Sequence, residues 1–230
     1  MSLRLYDLCL DDRDIRPSPH CWLAKFALLH KGLSFDVVPL QRAEKQNYPD
    51  PDYGLLPMLE DDGELVRDSA VIIEHLERKY PARPLTANEA EKATAAFYKA
   101  WRDAAIFPAL GPLVMRPLFA AASVEDQAHI RAIFSSRLGK TVEEYADTPG
   151  AAEKLRAALA VLAAPLAAHE FLGGATPDLS DYTLFTPFIW ARIASQTPVI
   201  EFPAPVSAWS ERMLDLFDGY ARKAKRVMAA

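Results

Sequence analysis

Apolar and polar positions fall into short blocks over the first eighty residues, and the period changes from one block to the next. "LRLYDL" (3–8) alternates like a short buried strand. A polar loop occupies 11–17. The spacing then becomes helical from Pro19 to Lys31 and stops at Gly32, a residue suited to a helix C-terminus. "SFDVVPL" (34–40) reads as a second strand. Strand, helix and strand at such short separation predict a right-handed βαβ unit with parallel strands. Residues 41–54, with two prolines and a glycine, read as loop or broken helix. "LPMLED", the turn Asp62-Gly63 and "ELVRD" read as a hairpin. "SAVIIEHLERKY" (69–80) has an amphipathic rhythm through Val71, Ile72, His75, Leu76 and Lys79, and Pro81 ends it.

The order β-α-β-β-β-α resembles a thioredoxin-type layer. Pro81-Ala82-Arg83-Pro84 reads as a linker, after which Thr86 with Glu89, or Asn88 with Glu91, supplies a capping box. From there on, alanine-rich helical patterns are broken by prolines 108, 112, 117, 149, 165, 177, 187, 198, 203 and 205, with no convincing strand. The predicted class is α/β: a thioredoxin-like N-terminal domain (1–81), a linker (82–85) and an all-α C-terminal domain (86–230).

Half of the 230 residues are hydrophobic, enough to build two cores. The net charge of −5 argues against a nucleic-acid footprint. The N-terminal letters lack a basic stretch followed by an apolar one, and no apolar run is expected to approach membrane-spanning length, so a cytoplasmic protein without membrane attachment is expected. Cys9 and Cys21 permit one disulfide, which a reducing compartment disfavours. "EHLER" (74–78) is not a zinc motif and no CxxC pair exists, so no metal is expected.

Three places can carry chemistry. Ser18 fits an N-cap and Pro19 the first helical position, where a missing N–H costs least. Beyond capping, such a hydroxyl beside free helix N–H groups can face an anion such as a thiolate. Pro57 opens the third strand. If the Leu56–Pro57 bond is cis, the N–H and C=O of Leu56 are free to pair with an extended peptide; a trans proline at a strand edge is the alternative. Asp68-Ser69 opens the next helix. It can act as a plain N-cap, or it can offer a hydroxyl and backbone N–H groups to a carboxylate and Asp68 to an ammonium, as an α-amino acid head group requires. All three fall at the ends of successive elements of one layer, where ligands of such sheets gather.

With these residues in place the chain resembles a glutathione S-transferase over nearly its whole length, through "LYDL", "SPHCWLAKFALLHKG", "YGLLPMLEDDGELVRDSAVIIEHLERKYP" and "PDLSDYTLF". The resemblance implies a glutathione-binding first domain, a helical domain holding a hydrophobic co-substrate, and a homodimer. It implies that Ser18 contacts the glutathione sulfur, that Leu56 before Pro57 pairs with the cysteinyl backbone, and that Asp68 and Ser69 hold the γ-glutamyl end. "PDLSDY" matches the family's buried capping box, with Asp178 as N-cap and Asp181 at N3. Within the family, "SPHCWLAKFALLHKG" and "DDGELVRDS" look most like bacterial glutathione-dependent β-etherases and fungal etherase-type transferases.

Tyr98, Trp101, Ile106 and Phe107 are candidate walls for the co-substrate pocket, with core packing as the plainer reading. Arg42 and Lys45 are candidates for the glycyl carboxylate, while His129 and Arg116 have no assigned role. Two alternatives keep the fold: a non-catalytic glutathione-binding module, and a thiol reductase using Cys21 of "SPHC". The basic end "ARKAKR" (221–226) suits a helix C-terminus.

Overall fold

The computed structural model describes residues 2–228. Its first layer holds β1 (Leu3–Leu8), α1 (Pro19–His30), β2 (Asp36–Leu40), β3 (Met58–Asp61), β4 (Glu64–Arg67) and α2 (Ser69–Lys79). The sheet order is β2-β1-β3-β4, with β1 and β2 parallel and the other pairs antiparallel. This is the mixed sheet of a thioredoxin-like domain. The loop before β3 contains one 3₁₀ turn, Lys45–Asn47. Asp62 and Gly63 both take positive φ, as a two-residue hairpin turn requires.

Helix α1 is apolar all round because it is covered on every side. Cys21 through Leu28 are all buried, including Lys25, whose ammonium meets the buried Asp7 carboxylate of β1. On α2 the buried stripe is Ile72, Ile73, His75 and Leu76. Val71, expected on that stripe, is instead 49% exposed, because the buried face is displaced by one position.

The helical domain comprises α3 (Glu89–Trp101), α4 (Phe107–Ala120), α5 (Val124–Ile133), α6 (Val142–Ala146), α7 (Ala151–Ala160), α8 (Ala163–Ala168), α9 (Leu179–Ala194) and α10 (Ala204–Gly219). Asn88, not Thr86, caps α3. A π turn, Arg102–Ile106, joins α3 to α4 in one run from Glu89 to Ala120. Against expectation, that run is long and apolar enough to cross a membrane by length and composition. Its apolar side chains Ile106, Leu110, Val114 and Leu118 lie in the protein core, packed towards α7 and α9.

Not every proline breaks a helix. Pro112 and Pro117 lie inside α4 and Pro187 inside α9. Pro187 cannot donate to the carbonyl of Thr183, four residues back. The Thr186 hydroxyl donates to that carbonyl instead, at 2.9 Å.

The two domains meet across α1 and α9. Phe26 stacks on Tyr182 (centroids 5.5 Å apart, 10° between planes), and His30 Nδ1 lies 2.8 Å from the Tyr182 hydroxyl. A fixed α9 therefore fixes α1, and with it the loop that ends at Ser18.

Candidate functional site

Loop 11–17 is held by its own hydrogen bonds. Leu10 N–H donates to Ile15 C=O (2.9 Å), and Trp22 Nε1 donates to Arg16 C=O (2.8 Å). Extended backbone at Ser18 (φ −65°, ψ 116°) lets its Oγ accept from Cys21 N–H at 3.3 Å, with Pro19 entering the first turn. That bond uses the oxygen only as an acceptor. As a hydroxyl it can also donate, towards the neighbouring Cys21 thiol or into the cavity that Ser18 lines.

The Leu56–Pro57 bond is cis. Leu56 makes no backbone hydrogen bond among the described residues, and its side chain is half-buried. Asp68 caps α2 in an uncommon conformation (φ +72°), its carboxylate accepting from Ala70 N–H at 2.7 Å. Asp68 is exposed and Ser69 is buried. Sheet register gathers these residues. Tyr6 opposes Met58 and Met58 opposes Arg67, so the end of β1, the start of β3 and the end of β4 share one edge. Leu56, Asp68 and Ser69 extend from that edge, and Ser18 lines the adjacent cavity together with Leu8 at the end of β1.

A cavity of ≈ 630 Å³ opens beside it between the domains. Its floor includes Leu8, Ser18, His20 and Arg42 from the first layer. Asp103, Phe107 and Trp190 form one wall. Met115, Phe119, Ile130, Ile133, Phe134 and Tyr145 add a largely apolar lining from the helical domain. Of the four predicted walls only Phe107 lies on this cavity. Ile106 is fully buried and borders a separate small void with Leu110 and Leu155, while Tyr98 and Trp101 pack half-buried on the core. Helix geometry accounts for much of the difference: Tyr98 and Phe107 lie about 180° apart around a helix, whereas Asp103 and Phe107, an i, i+4 pair, share the face that lines the cavity.

Arg42 faces the cavity, whereas Lys45 lies against Gly54. The loop carrying both is tied to the helical domain by Asp126, a buried carboxylate that accepts from Ala43 N–H (2.7 Å) and Arg42 N–H (3.2 Å). Burial, and then the positive charges of Lys45 and Arg42, lower the pKa of His129. Arg116 pairs with Asp147 on the surface.

His20, Asp126, Trp190 and Tyr145 join the site without a signal in the sequence pattern. Ile130, Ile133 and Phe134 carry a readable one, the i, i+3, i+4 spacing on α5 and the π turn after it. The Tyr145 ring lies edge-on to Phe134 (5.1 Å), and its hydroxyl covers Gly111, where a Cβ would stand 2.2 Å from it.

Cys21 is fully buried, and burial pushes its thiol pKa far up; burial likewise lifts Cys9 to about 11. A reductase needs an exposed thiolate, so this environment works against the Cys21 alternative. Among the described residues no group of three or more His, Cys, Asp or Glu side chains could hold a metal ion.

A family model described as glutathione S-transferase, N-terminal domain, matches residues 14–84, and one described as glutathione S-transferase, C-terminal domain, matches residues 93–213. Among solved structures, the glutathione transferase GSTFuA3 from Phanerochaete chrysosporium superposes with a TM-score of 0.75 at 21% identity, over 95% of this chain and 92% of its own. The glutathione S-transferase CsGST63524 of Ceriporiopsis subvermispora, in complex with glutathione, superposes with a TM-score of 0.71 at 23% identity, over 97% and 95%. At these identities the superpositions bear on the fold.

Proposed function

Because the chain belongs to the glutathione S-transferase family, we propose that it ionises glutathione beside Ser18 and directs the thiolate at a hydrophobic electrophile held in the cavity. One observation carries this reading: a helix N-cap hydroxyl, with a proton to donate, lines a cavity that is mostly apolar. Leu56 offers a backbone donor and acceptor to the cysteinyl residue. Asp68, Ser69 and the start of α2 offer opposite charges to the γ-glutamyl ammonium and carboxylate. Arg42 is placed for the glycyl carboxylate.

The energetics are adequate. A free thiol ionises near 8.5, and bringing it to about 6.5 requires roughly 2.7 kcal/mol in favour of the anion. A hydrogen bond to a charged group contributes about 1.5–3 kcal/mol, and a helix N-terminus adds about 0.3–1. Serine acts as a donor here and needs no base. The sulfur forms a bond to carbon as the leaving group departs with the bonding pair.

Within this chemistry we propose β-aryl ether cleavage, in which phenolate departs from a carbon next to a carbonyl. The screen that tests it sets an aryl-ether ketone against a halogenated aromatic, each with glutathione. Cleavage of the ketone supports etherase activity. Activity on the halide alone leaves a general conjugating enzyme, and no glutathione consumption with either removes the reading.

Two variants separate the subsites. Asp126→Ala releases the loop bearing Arg42. It is expected to raise the KM for glutathione by about 3–10-fold, less than the full value of a charged hydrogen bond because the loop backbone reaches water, with kcat little changed in steady-state assays. Gly111→Ala drives a methyl group into the Tyr145 hydroxyl. Its expected effect is on the co-substrate KM, with glutathione affinity by calorimetry unaltered.

We also propose a homodimer, as in the family at large, which would cover the exposed Val71 and Phe97. Light scattering should then report twice the chain mass. A cytoplasmic location fits two free, buried cysteines.

A further inference from the structure

We infer that the His20 imidazole donates a hydrogen bond to oxygen on the electrophile, fitting this cavity to substrates whose broken bond ends on oxygen rather than on halogen. This rests on the transferase reading above and narrows its substrate class.

His20 sits two residues beyond Ser18 in the first turn of α1, and both line the same cavity. The other two histidines in the first domain are engaged: His30 with Tyr182 and Pro84, His75 with Asp61. The His20 ring has no hydrogen-bond partner among the described residues, and it is exposed into the cavity. The ring lies 6.0 Å from that of Phe107, which Trp190 meets edge-on (5.8 Å, 86°) and the Arg102 guanidinium covers at 4.8 Å. An aromatic wall therefore stands beside an imidazole whose polar edge is unused.

The charged groups around it come from two sides. Arg102, Asp103 and Lys99 belong to the end of α3 and the π turn, and Asp68 to the sheet edge. Crowding by protein and the Arg102 charge lower the His20 pKa, with Asp103 and Asp68 opposing, which favours the neutral ring. A neutral imidazole at a helix N-terminus can still donate its N–H to a developing oxyanion. In the ether reaction the sulfur–carbon bond forms, the carbon–oxygen bond breaks, and the pair stays on oxygen. His20 holds that phenolate until it takes a proton from water. Bromide needs no such donor.

The test compares two substrates with one ketone skeleton, bearing either aryloxy groups of graded acidity or bromide. His20→Phe keeps a ring against Phe107 and removes the N–H. It is expected to lower kcat/KM for the aryloxy substrates by about 100-fold and to steepen the dependence on phenol acidity. Bromide turnover should fall far less than aryloxy turnover. His20→Gln, which retains an N–H, should recover part of the loss. Equal losses on both substrates, no loss, or wild-type turnover of the bromide alone would overturn the inference and leave the transferase reading standing. Wild-type inertness to both would remove the two together.

Discussion

Ser18→Ala is expected to slow glutathione-dependent turnover by about 10–100-fold while glutathione still binds, as one hydrogen bond of about 1.5–3 kcal/mol to an anion is lost. The bound thiol carries the clearer signature. With the hydroxyl present its ionisation should lie near 6.5, and without it near 8, since each unit is about 1.4 kcal/mol. Titrating the thiolate absorbance of the glutathione complex between pH 5 and 9 measures this directly. Activity should change with the same sign: at pH 6.5 the variant is far below the wild type, and the gap narrows as rising pH ionises the thiol unaided. The substitution also removes the α1 cap, which costs about 1 kcal/mol of stability. Melting curves separate that loss from the catalytic one. An unshifted bound-thiol ionisation would refute the proposed role of Ser18.

The parts of the site legible from sequence are those made by neighbours along the chain. Ser18-Pro19 and Gly32 bracket α1 because caps obey local rules. Proline before a short strand, and Asp68-Ser69 before an amphipathic run, are readable for the same reason. The co-substrate walls are not. Phe107 stands about half a turn round an ideal helix from Tyr98, so no single face brings all four candidates to one cavity, and which face is used depends on how α4 packs against the first layer. The bridge from Asp126 to Arg42 and Ala43 spans more than eighty residues and two domains, so no local pattern announces it. His20 reads only as a spacer in "SPHC", because its lack of a partner becomes visible only once its neighbours are placed.

Asp181→Ala is expected to cost about 3–5 kcal/mol, because it removes a buried group that satisfies four donors at once. Its carboxylate is fully buried and accepts from Leu172 N–H (2.8 Å), Gly173 N–H (2.9 Å), Asp178 N–H (3.2 Å) and Trp209 Nε1 (2.7 Å). Alanine strands all four donors, each worth about 1–3 kcal/mol before the surroundings relax. Asp181→Asn keeps the shape but turns one acceptor into a donor facing donors, so it should also destabilise. Asp178→Ala forfeits mainly a cap, about 1 kcal/mol, because Asp178 serves only Ser180 and Asp181 N–H. Urea unfolding at low temperature, where the weakest variant remains folded, ranks the three. A loss at Asp181 no greater than that at Asp178 would show that the four donors find water. The consequence reaches the site, since α9 holds α1 through Tyr182 against Phe26 and His30. A loosened α9 leaves the first turn of α1, and the Ser18 hydroxyl with it, less firmly held. Folded Asp181→Ala should therefore lose turnover along with stability, whereas Asp178→Ala should lose little of either.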